Sequence, residues 1–573
     1  MHRSPDRQGR RGSAFVSRLN LPRLIWALSG VLALSSPALA QSDTETLLRD
    51  YREAKDAPAR IACASEISKN RSDAGVAALA VILEEDPHEG VRLAAAKGLL
   101  VAKSHAASLV LIKAATRWDP WLADLVTGGL GRGVLPQTRT WLFDKGLVHD
   151  REDIRVASVR ILAKTSLGDA LKQLRGMSED KSTRVRAAVA SALGEDVVKS
   201  YSVLKRLAGD SSIRVRVAAL HSIGSAPKAI SVLKKAARAD KAWQVRVEAI
   251  RALAIRAPAK FRTTFLKLAK DKKLEWRARR AAIQALGRVR EAAAVDDLIG
   301  LLRVLEGRLK AEARRSLQLM TGERDLVAAE DWKNWWGARR EGFKVLELPG
   351  LDAAPLPAPP AKKLPKTRAR FYGLAVESQR PCFVIDCSGS MSEPAKAPPV
   401  ARDGGGKGTQ ERIDPAKKWT KFEVAKFELA RALQDLPPGS RFGVLLFRER
   451  LVPLQEKPVP ATKREIRRVL SLLHEIKPQG GTDVYTALSA VLHGSEPRDP
   501  LAAAKVDFDT LYLLSDGLPT TGPVTTPLTI RKRIAVFNRL AQVEIHTVGI
   551  GDAKNGDFLK KLASESGGRF VGR

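Results

Sequence analysis

Three short segments of this chain, far apart in sequence, place oxygen-bearing side chains beside apolar runs or at a predicted helix start. The first follows the apolar residues 383–385, the second is Gly-Gly-Thr-Asp at 480–483, and the third is Ser-Asp-Gly at 515–517. The side chains are Asp386, Ser388, Ser390, Thr482 and Asp516. Carboxylates and hydroxyls suit a hard divalent cation better than zinc or copper. The five are therefore candidate ligands for Mg²⁺, with Mn²⁺ or Ca²⁺ as alternatives.

The elements that must position these side chains follow from the pattern of residues 371–573, where strands and helices alternate. Apolar runs predict strands at 382–386, 441–447, 510–515, 543–550 and 569–571. Helical periodicity predicts helices at 420–436, 461–475, 483–493, 529–541 and 557–566. This order is typical of a doubly wound, Rossmann-like α/β domain with a largely parallel sheet. Loops from separate strands converge beyond the carboxyl ends of such a sheet, so the five side chains can reach one point.

Residues 371–573 resemble the von Willebrand factor A domain with a metal-ion-dependent adhesion site. The resemblance implies that Ser388, Ser390 and Thr482 bind the cation through their hydroxyls. It implies that Asp386 and Asp516 act directly or through water. Neutral hydroxyls leave the cation electrophilic, and an Asp or Glu carboxylate of a protein partner can displace its remaining water.

Residues 45–345 repeat with a step of about 30 residues, which is a solenoid period. Copies of an Asp-x5-Arg element begin at Asp180, Asp210 and Asp240, and an earlier copy begins at Asp86. Two short helical stretches make up each unit. The block resembles HEAT-like repeats, and the resemblance implies that the Asp and Arg side chains link neighbouring repeats rather than bind a ligand.

The repeat block ends with three tryptophans in residues 331–336, which we interpret as a cap over the last apolar face; a carbohydrate or partner site is the alternative. The proline-rich residues 346–370 predict an extended linker. Residues 392–419 read as an inserted flexible loop. The predicted domains are a signal peptide at 1–40, a HEAT-like solenoid at 41–345, the linker at 346–370 and the α/β domain at 371–573.

The first 40 residues have the pattern of a secretory signal. Arginines precede an apolar run over 24–34, and small residues follow, with cleavage predicted after Ala40; an uncleaved signal that stays as an anchor is the alternative. No later segment is long and apolar enough to cross a membrane. We therefore expect an exported protein that is periplasmic, in the cell envelope or extracellular.

Composition restricts the classes of site and partner. The formal net charge is +35. Acidic and basic side chains balance over residues 41–180, so the basic excess of the array lies after residue 180. A solvated surface explains scattered basic residues, and contact with an acidic polysaccharide or other polyanion is the alternative. The three cysteines form no CxxC pair and indicate neither a disulfide framework nor a zinc site.

These observations favour a non-enzymatic adhesion or assembly protein that captures a partner carboxylate through Mg²⁺, with the array as a second interaction surface. A basic scaffold that binds acidic polymers is one alternative. A metal-dependent hydrolase is the other, but phosphotransferases with an Asp at a strand end need a second Asp at the position of Ser388. The sequence also lacks the H-E-x-x-H and G-x-S-x-G motifs.

Overall fold

The structure is a computed structural model of the chain. It describes residues 38–114, 120–346, 369–398, 418–455, 457–493, 507–551 and 556–573. The predicted signal run over 24–34 and nearly all of the predicted linker lie outside these ranges. Within them, no helix has the length and apolar character needed to cross a bilayer.

The described chain divides into two compact units. One contains residues up to 87 and 91–110, and the other contains residues 88–90 and 111–573. The second unit therefore includes both the later repeats and the α/β domain, so this division does not follow the boundary that the sequence predicts at the linker.

Residues before the linker are helical. The helices are α1 (Ala38–Glu53), α2 (Ala57–Ile67), α3 (Asp73–Glu85), α4 (Glu89–Ala102), α5 (His105–Ala114), α6 (Pro120–Leu130), α7 (Pro136–Trp141), α8 (Glu152–Thr165), α9 (Leu167–Gly176), α10 (Thr183–Leu193), α11 (Val197–Leu207), α12 (Ile213–Ile223), α13 (Ile230–Ala239), α14 (Trp243–Arg256), α15 (Arg262–Lys270), α16 (Trp276–Leu286), α17 (Ala292–Val304), α18 (Gly307–Thr321) and α19 (Ala329–Gly337). In the first unit, the buried carboxylate of Asp86 accepts from Tyr51 at 3.1 Å and pairs with Arg60 at 2.7 Å.

The repeated Asp and Arg residues of the second unit form a ladder of ion pairs, as the resemblance implies. Three arginines pair with the aspartate of the next repeat at an N–O distance of 2.8 to 2.9 Å; the pairs are Arg155–Asp180, Arg186–Asp210 and Arg216–Asp240. Arg186 also donates to the carbonyl of Asp180 in its own turn, at 2.8 Å. One guanidinium thus ties its own turn to the next one, which is a structural role.

The three tryptophans lie on α19, which packs against α17. Trp332 and Trp336 are buried. The indole nitrogen of Trp336 donates to Asp296 of α17 at 2.7 Å, and that of Trp332 donates to the carbonyl of Leu326 at 3.2 Å. Both rings are therefore buried within the array rather than presented to solvent, which supports the cap rather than a carbohydrate site.

The domain that follows the linker is built on a largely parallel sheet. Its strands and the short ribbons beside it are β1 (Arg370–Phe371), β2 (Leu374–Ala375), β3 (Pro381–Asp386), β4 (Pro394–Ala395), β5 (Trp419–Thr420), β6 (Arg441–Phe447), β7 (Leu451–Pro453), β8 (Val459–Pro460), β9 (Thr510–Ser515), β10 (Glu544–Gly549) and β11 (Phe570–Gly572). The sheet order is β11-β10-β9-β3-β6-β7. Only β7 and β8 pair antiparallel, both with β6, among the described strands of this sheet. The α/β fold class is confirmed.

Five helices cover the two faces of this sheet. They are α20 (Lys421–Gln434), α21 (Lys463–Glu475), α22 (Val484–His493), α23 (Pro527–Ala541) and α24 (Gly556–Ser566). Side chains of β3 alternate between two apolar cores, with Phe383 and Ile385 in one and Cys382 and Val384 in the other. Burial on both faces is why this strand reads as a continuous apolar run.

The segment predicted as an inserted loop is anchored at both ends. Strand β4 pairs with β5, with Ala395 opposite Trp419 and Pro394 opposite Thr420. Residues 399–417 lie outside the described ranges. The alternation of strands and helices carries no signal for two-residue ribbons, so the sequence did not predict this closure.

The later repeats contact the α/β domain directly through buried charges. Arg308 of α18 pairs with Glu312 at 3.1 Å and with Glu544 of β10 at 3.2 Å. Burial opposes ionisation of Glu544, but Arg308 and His546 outweigh it and hold its pKa below the usual range. Arg314 pairs with Glu377 at 2.6 Å. The later repeats and the α/β domain therefore share a charge-paired interface.

We expect Arg308→Met to lower the free energy of unfolding by about 3 kcal/mol, because Glu544 would remain buried without its main counter-charge. Urea denaturation followed by circular dichroism measures the loss. The control is Arg303→Gln, which breaks the exposed pair with Glu330 and should cost under about 1 kcal/mol. Equal effects of the two substitutions would contradict a buried ion-pair interface.

Candidate metal centre

Strand β3 lies between β6 and β9, and this pairing brings two of the candidate segments together. Ile385 is opposite Leu514 in the parallel register, so Asp386 and Asp516 emerge at the same edge of the sheet. The Ser390 hydroxyl donates to Oδ1 of Asp516 at 2.9 Å, and the hydroxyls of Ser388 and Ser390 are 3.2 Å apart.

Asp386 is fully buried and accepts two hydrogen bonds. Its Oδ1 accepts from the backbone N–H of Ser388 at 2.9 Å, and its Oδ2 accepts from the Ser515 hydroxyl at 2.6 Å. Burial raises the pKa of Asp386 to about 6, while the two serines favour the charged form and act in the opposite direction. Ser388 and Ser515 thus fix the orientation of the Asp386 carboxylate. This fits two roles, holding the loop that carries the serines and binding a cation directly.

Thr482 is brought in by its own loop. The N–H of Gly389 donates to the carbonyl of Gly480 at 2.9 Å, and the N–H of Gln479 donates to the carbonyl of Cys387 at 3.0 Å. Gly480 has a φ of +73°, a left-handed backbone conformation that favours glycine at this turn.

The backbone of Thr482 is paired, while its hydroxyl is not. Its N–H donates to the Thr520 hydroxyl at 2.9 Å, and its carbonyl accepts from the N–H of Thr520 at 3.0 Å. Its side-chain hydroxyl makes no hydrogen bond to any other described residue. Asp483, the next residue, caps α22 by accepting from the N–H of Thr486 at 2.9 Å. The free hydroxyl belongs to the residue that the sequence predicts as a ligand.

Sequence reasoning missed Lys421, a buried lysine that touches the candidate centre. Its ammonium donates to Oδ2 of Asp516 at 2.7 Å and to Glu393 at 2.6 Å. A capping box between Thr420 and Glu423 starts α20 at this residue. The sequence signals a helix start near 420, but nothing in it shows that the first side chain reaches Asp516.

The five predicted side chains fit a hard cation. Asp386, Ser388, Thr482 and Asp516 are all less than 10% exposed, and Ser390 is half-buried at the solvent side. No group of three or more His, Cys, Asp or Glu side chains suited to a metal occurs in the described ranges. The five side chains offer carboxylate and hydroxyl oxygens, the chemistry that suits Mg²⁺.

Two family models match parts of the chain. Residues 420–571 match the von Willebrand factor type A domain, and residues 230–318 match HEAT repeats. The chain contains a von Willebrand factor A domain preceded by HEAT repeats. The matched ranges fall within the solenoid and the α/β domain that the sequence predicts.

Relatives of the von Willebrand factor A domain are distant and much longer than the matched region. Human inter-alpha-trypsin inhibitor heavy chain H4 is 29% identical over 201 residues, which is 34% of this chain and 18% of that protein. Human von Willebrand factor A domain-containing protein 3A is 25% identical over 205 residues, covering 35% of this chain and 14% of that protein. The chain thus spans less than a fifth of the length of either.

Solved structures also resemble the von Willebrand factor A domain. Proximal thread matrix protein 1 from the mussel byssus, in a form described as having a zinc-occupied MIDAS motif, is 16% identical with a TM-score of 0.23. That match covers 34% of this chain and 41% of the other. The von Willebrand factor type A protein from Catenulispora acidiphila is 18% identical with a TM-score of 0.25, covering 34% and 38%.

The raised pKa of Asp386 predicts how stability depends on pH in metal-free protein. The folded pKa of about 6 lies above the ordinary value of 3.8, so the fold favours the protonated form. The stability that Asp386 contributes is present below pH 4 and is lost as the pH rises through 6. Because Asn does not ionise, Asp386→Asn should gain stability relative to the wild type by up to about 3 kcal/mol between pH 4 and 7.

Urea denaturation in EDTA at several pH values measures this difference. Asp507→Asn makes the same chemical change at an exposed residue and is the matched control. A constant difference for Asp386→Asn would show that Asp386 ionises as easily in the fold as in the unfolded chain.

Proposed function

We propose that this chain is an exported, non-enzymatic adhesion or assembly protein whose von Willebrand factor A domain captures a carboxylate of a protein partner. The observation that carries the proposal is the hydrogen bond from Ser390 to Asp516, which joins segments 126 residues apart in sequence. Distant relatives that share the domain support a role in protein interaction. The predicted signal over 1–40 supports export.

The chain supplies the proposed cation site with hydroxyls from Ser388, Ser390 and Thr482 and with the carboxylate of Asp516. Asp386 accepts from Ser388 and Ser515, so it orients the loop that carries the serines. A bound Mg²⁺ would supply an electrophilic position for a partner carboxylate. Ser390 is the least buried of the five, so the partner approaches from its side.

Glu393 lies beside this approach. Its carboxylate would repel the partner's carboxylate, so the partner would bind on the side away from Glu393. Its side chain is 62% exposed and pairs with Lys421. Lys421 carries positive charge next to Asp516 and balances part of the negative charge of the site. The HEAT repeats form the second proposed interaction surface, since basic residues after position 180, such as Lys234 and Lys235, are exposed.

The proposal predicts that Mg²⁺ binds the wild type and that Ser390→Ala and Asp516→Asn weaken its affinity at least about tenfold, a loss of about 1.4 kcal/mol each. Isothermal titration calorimetry measures the affinity, and circular dichroism checks that each variant folds. Asp507→Asn is the matched control because it removes an exposed carboxylate from the same domain. Equal affinity in all four proteins would refute the site.

Partner capture tests the function itself. The mature protein is immobilised and exposed to the envelope fraction of its own source, with Mg²⁺ or with EDTA. Specific partners should be retained by the wild type and Asp507→Asn in Mg²⁺ and lost with EDTA or with Ser390→Ala. Retention that survives both treatments contradicts carboxylate capture, and hydrolysis of a generic phosphate ester would favour the enzyme alternative.

Lys421 provides a test that is independent of any partner. Its ammonium bonds to the same Asp516 carboxylate that the cation would use and repels a second positive charge. Lys421→Met should therefore tighten Mg²⁺ binding by about tenfold, whereas Lys418→Met, at an exposed residue, should leave it unchanged. Weaker binding in Lys421→Met would show that the lysine positions Asp516 for the cation instead of competing with it.

A further inference from the structure

A cleft of about 730 Å³ lies between the later HEAT repeats and the von Willebrand factor A domain. Helices α14, α16 and α18 line it on one side, and α23 and α24 line it on the other. Sites for small molecules have volumes of about 300 to 1,000 Å³. None of the five candidate metal ligands lines this cleft, so it is separate from the proposed adhesion site.

Positive charge exceeds negative charge among the residues that line the cleft. The guanidinium groups are Arg251, Arg280, Arg288, Arg315, Arg531 and Arg539. The carboxylates are Glu248, Glu312 and Glu565. Low-dielectric walls with charge of one sign concentrate ions of the opposite sign. The lining therefore favours an anion.

Each glutamate of the lining is already paired with an arginine of the lining. The pairs are Arg280–Glu312 at 2.7 Å, Arg539–Glu248 at 3.1 Å and Arg531–Glu565 at 3.0 Å. Glu248 also contacts His221 at 2.7 Å, and Arg315 donates to the carbonyl of Gly567 at 2.6 Å. No carboxylate of the lining is left for the remaining two arginines.

Those two are Arg251 and Arg288, whose guanidinium groups make no hydrogen bond or ion pair with any residue the structure describes. Burial lowers the pKa of Arg251 to about 10; Glu248 opposes this shift, whereas Arg539 and Arg280 add to it. Burial also lowers the pKa of Arg288. Both guanidiniums are thus partly buried charges with an unmet need for a counter-ion.

The lining also has an apolar part. Small and branched side chains of both domains contribute, among them Ala252, Ile255, Ile534 and Leu562. An inorganic anion alone would leave this surface in contact with water. A molecule that has both an anionic group and an apolar part could contact the arginines with one and the apolar side chains with the other.

We propose that the cleft binds a small organic oxyanion, with its phosphate, sulfate or carboxylate group on Arg251 and Arg288 and its apolar part along Ile255, Ile534 and Leu562. Guanidinium groups match these oxyanions because they donate two parallel hydrogen bonds. The bound molecule would touch the array and the von Willebrand factor A domain together. This site goes beyond the proposed adhesion function and does not depend on it.

The test uses the full mature protein and phenyl phosphate as the probe, with calorimetry at constant ionic strength. Phenyl sulfate and benzoate distinguish the oxyanion, and inorganic phosphate measures what the apolar part adds. The double variant Arg251→Gln/Arg288→Gln should bind the preferred probe at least tenfold more weakly than the wild type. The control Lys234→Gln/Lys235→Gln removes two exposed charges from α13 and should bind as the wild type does.

The thermal unfolding midpoint separates binding from a structural role. Because the two arginines lack partners and repel their neighbours, the double variant should be at least as stable as the wild type, and a large drop would overturn the proposal. Arg288→Gln alone supplies a milder variant if the double one does not fold. Absence of saturable binding by all four probes, or equal weakening in the control, would also overturn it.

Binding should be unchanged in EDTA and in Asp516→Asn, so loss of the metal centre and loss of this cleft are distinguishable. Heparin tests the polymer alternative. Heparin binding that falls steeply with salt and is insensitive to Arg251→Gln/Arg288→Gln, with no binding of the small probes, would assign the basic charge to a polyanion surface instead.

Discussion

The parallel pairing of β3 with β9 is the constraint on which the candidate metal centre depends. With Ile385 opposite Leu514, the two strands end at the same edge of the sheet, and the residues just past them meet. A shift of one residue in this register would turn Asp516 to the other face of the sheet. The apolar side chains of β3, buried on both faces, make such a shift costly. The position of two carboxylates is therefore set by core packing rather than by their own interactions.

Much of the fold could be predicted from the sequence because its strands are buried on both faces and its helices carry clear start signals. The predicted strand 510–515 matches β9, and the predicted helix 420–436 matches α20 within two residues. Because the strand and helix bounds could be predicted, the positions of the candidate site residues at the ends of these elements could be predicted as well. The contact of Lys421 with Asp516 could not be predicted, because it depends on the direction of one side chain at a helix start. The pairing of β4 with β5 could not be predicted either, because strands of two residues are too short to show a periodic pattern in the sequence.

The roles of some arginines could be predicted from the sequence, and those of others could not. Arg186 repeats at a fixed distance from an aspartate, so its ladder role could be predicted. Arg280 and Arg308 occur in the same array, yet they pair with Glu312 and bind across to the other domain, where Arg280 donates to the carbonyl of Gln542. No repeat marks these two residues. Contact between domains depends on the three-dimensional path of the chain, which composition and spacing do not encode.

The interface between the domains also contacts the part of the chain that leads to the proposed cation site. Helix α23 begins at Pro527, after the loop that carries Asp516, and ends at Ala541, whose carbonyl accepts from Arg277 of the array at 3.0 Å. One helix therefore connects the loop of the candidate site to the buried contacts of the repeats. Movement of α23 would break hydrogen bonds to buried guanidiniums, and unpaired buried charge is costly. The geometry thus favours a proposed cation site that the array holds in one arrangement, so the HEAT repeats would support the loop that carries Asp516.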